Sequence, residues 1–321
     1  MSYGVRGPEK SSNSWVLEEE EAMKHLKHAY DAGINAFDTA DAYTAGGSER
    51  ILGKFLKKYS IPRESVVILT KTYFPAWSPD KFENNSGLSR KRIFASIKNA
   101  LERLQLEYVD VLQCHRFDYS TPMEETMQAL HDVVKAGYVR YIGMSSCFAW
   151  EFQMMQQYAL HNHLTPFISM QNYHNALYRD EEREMMPTLQ QFGVGCIPWS
   201  PLGAGLLTRP FSEDKETLRA EVHPVKDHVS GKKEPSGRVI ISKVEEISKA
   251  RGVSMAQVAL AWSLSKPFVT APIVGTTSLE KLDDLIEGCS LKLSEEEIKS
   301  IDDLYLPSHL RGPSHWGPIK V

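Results

Sequence analysis

Short runs rich in valine and isoleucine alternate with amphipathic segments of helical length along almost the whole chain. That alternation restricts the fold more than any other feature. The runs Ile34–Asp38, Val66–Thr72, Asp110–His115, Val139–Ser145, Ile168–Gln171, Gly195–Ser200 and Val269–Gly275 are apolar at consecutive positions. Strands covered on both faces read this way, and strands of that kind belong to parallel sheets. Between them, Met23, Leu26, Ala29 and Tyr30 fall on one helical face, as do Met127, Leu130, Val133 and Val134, and Ile298, Ile301, Leu304 and Tyr305. Thr121-Pro122-Met123-Glu124 offers an N-cap threonine with proline at the first helical position, and Ser294 with Glu297 spells a capping box. Glu18–Glu21 puts acid at the positive end of a helix dipole, a capping role.

Strict β/α alternation implies right-handed crossovers and either a doubly wound sheet or a closed barrel. No Gly-x-Gly-x-x-Gly follows the early strands, so the expectation is an α/β fold of the (α/β)8 TIM-barrel type. Such a barrel needs eight strands and the runs supply seven. Ahead of the first helix lie only Met1–Val16, of which Met1–Gly4 is at most the tail of a strand. The first strand is therefore expected to be missing or reduced to a stub, the chain beginning too late through a wrong start site, a genuine deletion or an odd isoform. Residues 1–321 are read as a single domain, with 307–321 a C-terminal tail.

Four polar residues stand at the C-terminal ends of three of these strands or just beyond: Asp38, Tyr43, Lys71 and His115. On one rim of a parallel barrel, that placement is where catalytic groups gather. Protonating a carbonyl oxygen as a hydride reaches its carbon needs an acid, a charge to tune it, a counter-ion and a hydrogen-bond donor. A phenol titrates near pH 10, and an adjacent ammonium stabilises the phenolate. Tyr43 is thus the candidate acid, Lys71 the tuning charge, Asp38 its counter-ion and His115 the donor to the carbonyl. Asp41, in the same loop as Tyr43, is read as structural.

The net charge of −4 argues against non-specific nucleic-acid binding, and no basic run adjoins a long apolar stretch, so no membrane role is expected. The start has no apolar leader segment. The cysteines Cys114, Cys147, Cys196 and Cys289 are widely spaced, which fits a reduced, cytoplasmic setting without a zinc site or a structural disulfide.

Gly33-Ile34-Asn35-Ala36-Phe37-Asp38-Thr39-Ala40-Asp41-Ala42-Tyr43, followed by Gly47-Ser48-Glu49 and Leu52-Gly53, resembles the aldo-keto reductase signature. Further segments agree in order. They are Leu69-Thr70-Lys71, Asp110–His115, Tyr141–Ser146, Gln171-Asn172-Tyr173, Trp199–Leu207 and Pro272–Gly275. Within that family, Ile61–Glu64, the insert Tyr73–Leu88 and Asn172–Arg179 look like the fungal aryl-alcohol dehydrogenase and versiconal hemiacetal acetate reductase branch, whose members usually carry more residues before a motif like Met1-Ser2-Tyr3-Gly4.

The resemblance implies an NADP(H)-dependent, reversible reduction of aldehydes or ketones, aromatic or secondary-metabolite carbonyls among them. It assigns the dinucleotide to Ser145, Ser146 and Gln171 at the carboxamide, and to Trp199 stacked on the nicotinamide. Ser200, Leu202, Gly203 and Gly205 fall at the pyrophosphate; Gly275, Thr277 and Lys281 open the last helix, where a phosphate is favoured, with Lys281 meeting a 2′-phosphate and Arg219 and Arg209 as weaker candidates. Leu285 stands where many relatives carry an asparagine that meets adenine, which leaves NAD open beside NADP. Trp77, Phe74, Phe117, Trp150 and Trp316 suggest an aromatic-tolerant substrate pocket. The partner expected is a small carbonyl or alcohol, and the protein is read as a monomer or weak homo-oligomer. Two alternatives stay open, a cofactor-binding regulatory subunit of the potassium-channel β type and an inactive truncated product.

Overall fold

In the computed structural model, which describes residues 1–9, 11–75, 84–212 and 236–307, the expected alternation of strands and helices is present and two compact units are distinguished. The first takes in residues 1–7 and 15–170; the second takes in 8–14 and the described residues from 171 to 307.

The first unit runs α1 (Glu19–Asp31), β1 (Ala36–Asp38), α2 (Gly47–Lys58), β2 (Val67–Thr72), α3 (Arg90–Leu104), β3 (Val109–Cys114), α4 (Met123–Lys135), β4 (Val139–Ser145), α5 (Ala149–His161) and β5 (Phe167–Gln171). These strands are hydrogen-bonded in chain order, and the pairs β1–β2, β2–β3 and β3–β4 are parallel. The register sets Asp38 beside Leu69, Lys71 beside Gln113 and Cys114 beside Met144. Side chains alternate across a pleated strand. Asp38, Lys71 and Gln113 therefore share one face, while Ile68, Leu112 and Ile142 turn to the other and are fully buried.

Glu49 and Asp41 tie the helices to that sheet. Glu49 accepts from Thr70 Oγ1 on β2 and from Arg103 Nε on α3, both at 2.6 Å. Asp41 accepts from Arg92 Nη2 at 2.6 Å and Ser96 Oγ at 2.9 Å, both on α3. Its side chain is thus committed to packing, as expected. Gly53 lies where α2 crosses the end of α3: a Cβ there would meet the Leu104 carbonyl oxygen at 2.3 Å.

Ahead of α1, Tyr3 makes an isolated parallel bridge to Leu17. Helix α4 corrects one expectation. Thr121 does not cap it, because its hydroxyl donates to Asp118 Oδ2 at 2.7 Å.

The second unit carries β6 (Gly195–Cys196), α6 (Met185–Phe192), α7 (Gly237–Arg251), α8 (Met255–Leu264), α9 (Leu279–Gly288) and α10 (Glu295–Asp302). Ser294 caps α10 with the expected box, its Oγ accepting from Glu297 N at 3.2 Å while Glu297 Oε2 accepts from Ser294 N at 2.8 Å. Two strand expectations are only partly met. The run to Ser200 is regular only over Gly195–Cys196, and Val269–Gly275 pairs with it through single bridges, Cys196 to Val269 and Trp199 to Ile273. Pro198 and Pro272 have no N–H to give, so the ladder breaks into isolated contacts.

The apolar core here is built from Ile240, Ile241, Val244, Val258, Trp262 and Ile301. Around it Arg179 pairs with Glu182 and Asp302, each at 2.8 Å, and Asp302 also accepts from Trp262 Nε1 at 2.9 Å and from Lys266 Nζ at 2.6 Å. Among the described residues, no helix is long and apolar enough to cross a membrane. Among the described residues, none of Cys114, Cys147, Cys196 and Cys289 is in a disulfide.

Glu181 is the unusual group of this unit. Burial pushes its carboxyl from 4.5 up to about 8, a hydrogen bond from Asn172 Nδ2 at 2.8 Å opposing and Asp180 adding to the rise. A carboxyl raised on folding contributes stability below 4.5 that is lost as pH climbs toward 8. Glu181→Gln should therefore flatten the fall in unfolding free energy over that window, removing on the order of 3–5 kcal/mol of linkage; parallel slopes in wild type and variant would contradict it. Gly53→Ala should lower stability by about 1–3 kcal/mol through the clash with Leu104, read as a lower urea midpoint at unchanged slope.

Candidate active site

The ladder continues past the strand ends and so fixes the loops that carry the polar groups. Thr39 N donates to Leu69 O at 2.9 Å, Asp41 N to Lys71 O at 3.1 Å and His115 N to Thr72 O at 2.9 Å. Tyr43 follows in a tight loop in which Thr44, Ala45 and Gly46 all have positive φ.

Lys71 is fully buried on β2, and its ammonium has three acceptors. It donates to Asp38 Oδ2 at 2.5 Å, to the Thr39 carbonyl at 2.9 Å and to the Tyr43 hydroxyl at 3.3 Å. Burial works against the charge, but Asp38 and the Tyr43 oxygen outweigh it and hold the ammonium above the ordinary lysine value. The His115 ring meets the Tyr43 ring edge-on, centroids 5.7 Å apart at 79°. Burial, then Arg116 and then Lys71, depress the imidazole well below its usual range, so it is neutral near pH 7. Its Nδ1 is buried without a hydrogen-bond partner among the described residues. The structure therefore brings Asp38, Tyr43, Lys71 and His115 together, three by direct bonds and His115 by ring contact.

Sequence reasoning missed Gln113, whose Nε2 donates to Asp38 Oδ1 at 3.0 Å and fixes the second carboxylate oxygen. The signal was available: Gln113 lies two positions before His115 on β3, hence on the same face. Gly143 makes room for it, since a Cβ there would lie 3.2 Å from Gln113 Cγ.

Aromatic side chains crowd the loops after β2, β3 and β4. Phe74 meets His115 at 4.9 Å, Phe117 meets Tyr119 at 5.0 Å and Trp150 at 6.4 Å, and Phe148 stacks on Trp150 at 6.4 Å. Tyr119 and Trp150 are about half exposed, so part of this aromatic surface is open to a ligand. Trp77 and Trp316 lie outside the described residues.

Of the residues assigned to a dinucleotide, Ser145 ends β4 and is buried, and Ser146 follows with φ +47°. Gln171 ends β5 and is buried. In the second unit, Trp199 is half-buried and backed by Tyr173, with ring centroids 4.6 Å apart. Ser200, Gly203, Ala204 and Gly205 all have positive φ, a backbone that turns amide groups toward a common side. Leu202 packs into the core, leaving only its main chain for a ligand. Arg209 folds back to donate to the Gly205 carbonyl at 3.2 Å, and Arg219 lies outside the described residues.

Gly275 and Thr277 are exposed just before α9, which Ser278 caps, and Lys281 is exposed in its first turn. Helix-start amides beside a free cation are the donor set a phosphate requires. Leu285 is buried against Ala256 and Leu260, committed to packing rather than to a purine. Within the second unit, the turn at Ser200–Gly205 and the start of α9 thus offer donors that fit phosphate groups, while Leu285 offers no adenine contact.

Residues 2–306 match the model of the Aldo/keto reductase family. The versiconal hemiacetal acetate reductase of Aspergillus parasiticus is 46% identical over 96% of this chain and 92% of its own length. A provisionally named aryl-alcohol dehydrogenase of Schizosaccharomyces pombe is 46% identical over 97% of this chain and 92% of its own. An aldo-keto reductase of Metarhizium robertsii, dtxS3, is 42% identical over 94% and 85% respectively. With its catalytic-type cluster and a match across nearly its entire length, the chain belongs to the aldo/keto reductase family of oxidoreductases.

Proposed function

We propose that this chain is an NADP(H)-dependent carbonyl reductase, reversible as an alcohol dehydrogenase, whose general acid is Tyr43. The observation that carries the reading is the buried ammonium of Lys71 bonded at once to Asp38 and to the Tyr43 hydroxyl, with a neutral His115 against the Tyr43 ring. The parallel strands then belong to an (α/β)8 barrel forming one enzyme domain, cytoplasmic, acting on a small carbonyl compound.

When bound, the dinucleotide supplies the hydride that adds to the carbonyl carbon. Ser145, Ser146, Gln171, Trp199, Ser200, Leu202, Gly203, Gly205, Gly275, Thr277 and Lys281 are the residues to hold it. The rest falls to the side chains of the catalytic cluster. As negative charge grows on the carbonyl oxygen, the Tyr43 O–H bond breaks and its proton passes to that oxygen, giving the alcohol. The phenolate left behind is stabilised by Lys71, whose position Asp38 and the Thr39 carbonyl fix. His115, neutral, donates an N–H to the same oxygen and orients it before the proton moves. Solvent returns the proton to Tyr43.

Aromatic carbonyls are the favoured substrates, because Phe74, Phe117, Phe148 and Trp150 present flat apolar surfaces beside this cluster. Two relatives, the versiconal hemiacetal acetate reductase and the aryl-alcohol dehydrogenase, favour the same class.

The test is NADPH oxidation with an aromatic aldehyde, alongside quenching of protein fluorescence by NADPH. Quenching without oxidation would replace the enzyme reading with that of a cofactor-binding regulator. Tyr43→Phe should cut kcat about 10²–10⁴-fold and leave the quenching curve in place; retained turnover would show that the acid is another group. Lys281→Met should weaken NADPH about tenfold, ~1.4 kcal/mol, with little change for NADH. Equal loss for both dinucleotides would remove Lys281 from the 2′-phosphate.

A further inference from the structure

His115 is held in an unusual way. Among the described residues its buried Nδ1 has no hydrogen-bond partner, so none of them locks the ring at that atom. What positions the imidazole is packing: Tyr43 on one edge at 5.7 Å, and Phe74 at 4.9 Å and 75°. Phe74 in turn carries the guanidinium of Arg116, whose Cζ lies 5.5 Å from the ring centroid, and its carbonyl accepts from Arg92 Nη2 at 3.2 Å. Arg116 closes the circuit, since its Nη1 donates to the carbonyl of His115 at 2.5 Å.

We propose that Arg116 is a positioning residue for His115: its guanidinium clamps Phe74 against the imidazole, holds the His115 carbonyl and sets a fixed cation beside the ring. The inference rests on the reductase reading for its purpose, a donor that orients the carbonyl without competing with Tyr43 as acid.

The electrostatic surroundings agree. Burial is the largest influence against a charged imidazole, and Arg116 in its own loop and then Lys71 on β2 add to it. Around Arg116 stand Tyr43, Tyr73 and Cys147, from the loops after β1, β2 and β4. Asp118, the nearby carboxylate of the same loop, has its oxygens taken by Leu88 N, Ser120 N and Thr121 Oγ1, and so is engaged elsewhere. Burial lowers Arg116 itself to about 10, which still leaves it charged near pH 7. A protonated His115 would thus sit beside two fixed cations in a site with little water, an arrangement that like-charge repulsion opposes.

The test reads the ring directly. In ¹⁵N-histidine-labelled protein without cofactor or substrate, the His115 signals are identified by their loss in His115→Asn. Wild type should titrate well below the usual histidine range. Arg116→Met should raise that titration, with an acid limb of kcat/KM moving up with it. Arg116→Lys, which keeps the charge but not the planar stack, should leave that titration in place while lowering kcat more than it changes KM. Arg116→Gln replaces the methionine variant should that one not fold. A titration that does not rise in the uncharged variants would overturn the proposal, as would Arg116→Lys titrating like Arg116→Met. The resonance measurement needs no turnover, so failure of wild type to reduce a carbonyl would overturn the reductase reading and leave this inference standing.

Discussion

The buried ammonium of Lys71 is the constraint on which the first unit is built. A charge with no access to water is tolerated only where opposite charge and hydrogen-bond acceptors surround it, and removing one partner from such a pair is strongly destabilising. Lys71 finds all three acceptors on β1 and the segment leaving it: Asp38, Thr39 and Tyr43. Those acceptors are in reach only if β1 and β2 keep their register, Asp38 opposite Leu69, two residues before Lys71. A slip of one residue would turn Lys71 to the helical face and leave Asp38 without its counter-ion. Sheet register and active-site geometry are therefore a single requirement, and Gln113 extends it to β3 by taking the other oxygen of Asp38.

The same loop shows why a signature motif is not a catalogue of chemistry. Between Gly33 and Gly53, only Asp38 and Tyr43 face the reacting cluster. Asp41 and Glu49 are buried ion-pair partners of Arg92 and Arg103 on α3, and Gly53 is where α2 and α3 come closest. Burial pushes the Asp41 and Glu49 carboxyls above their ordinary range and the arginines pull them back, as expected of paired charges that hold elements together. The second unit uses the same device around Asp302, which serves Arg179, Lys266 and Trp262 at once.

Much of this was legible in the chain itself. The alternation of apolar runs and amphipathic segments placed the strands of the first unit to within two residues, because period and propensity are local properties. Asp38, Lys71 and His115 could be picked out since a polar residue at the end of an apolar run has to be accounted for. The capping box at Ser294 was readable for the same reason: its partner is three residues away. Two errors were also local in origin. Thr121 was read as a cap although Asp118 competes for its hydroxyl, and Pro198 and Pro272 lay in view inside runs read as full strands.

What the sequence determined by itself is the set of elements and the identity of the acid, base-tuning charge and counter-ion candidates, since each depends on residues within a few positions of one another. What only the tertiary structure decided is how those groups meet. Gln113 reaches Asp38 across 75 residues, Arg92 reaches Asp41 across 51, and Phe74 stands between His115 and Arg116 although it comes from a different strand end. Such contacts are set by register and by which faces two elements turn to each other. Neither is written in any window of the chain, because both are fixed by packing of the assembled sheet and helices.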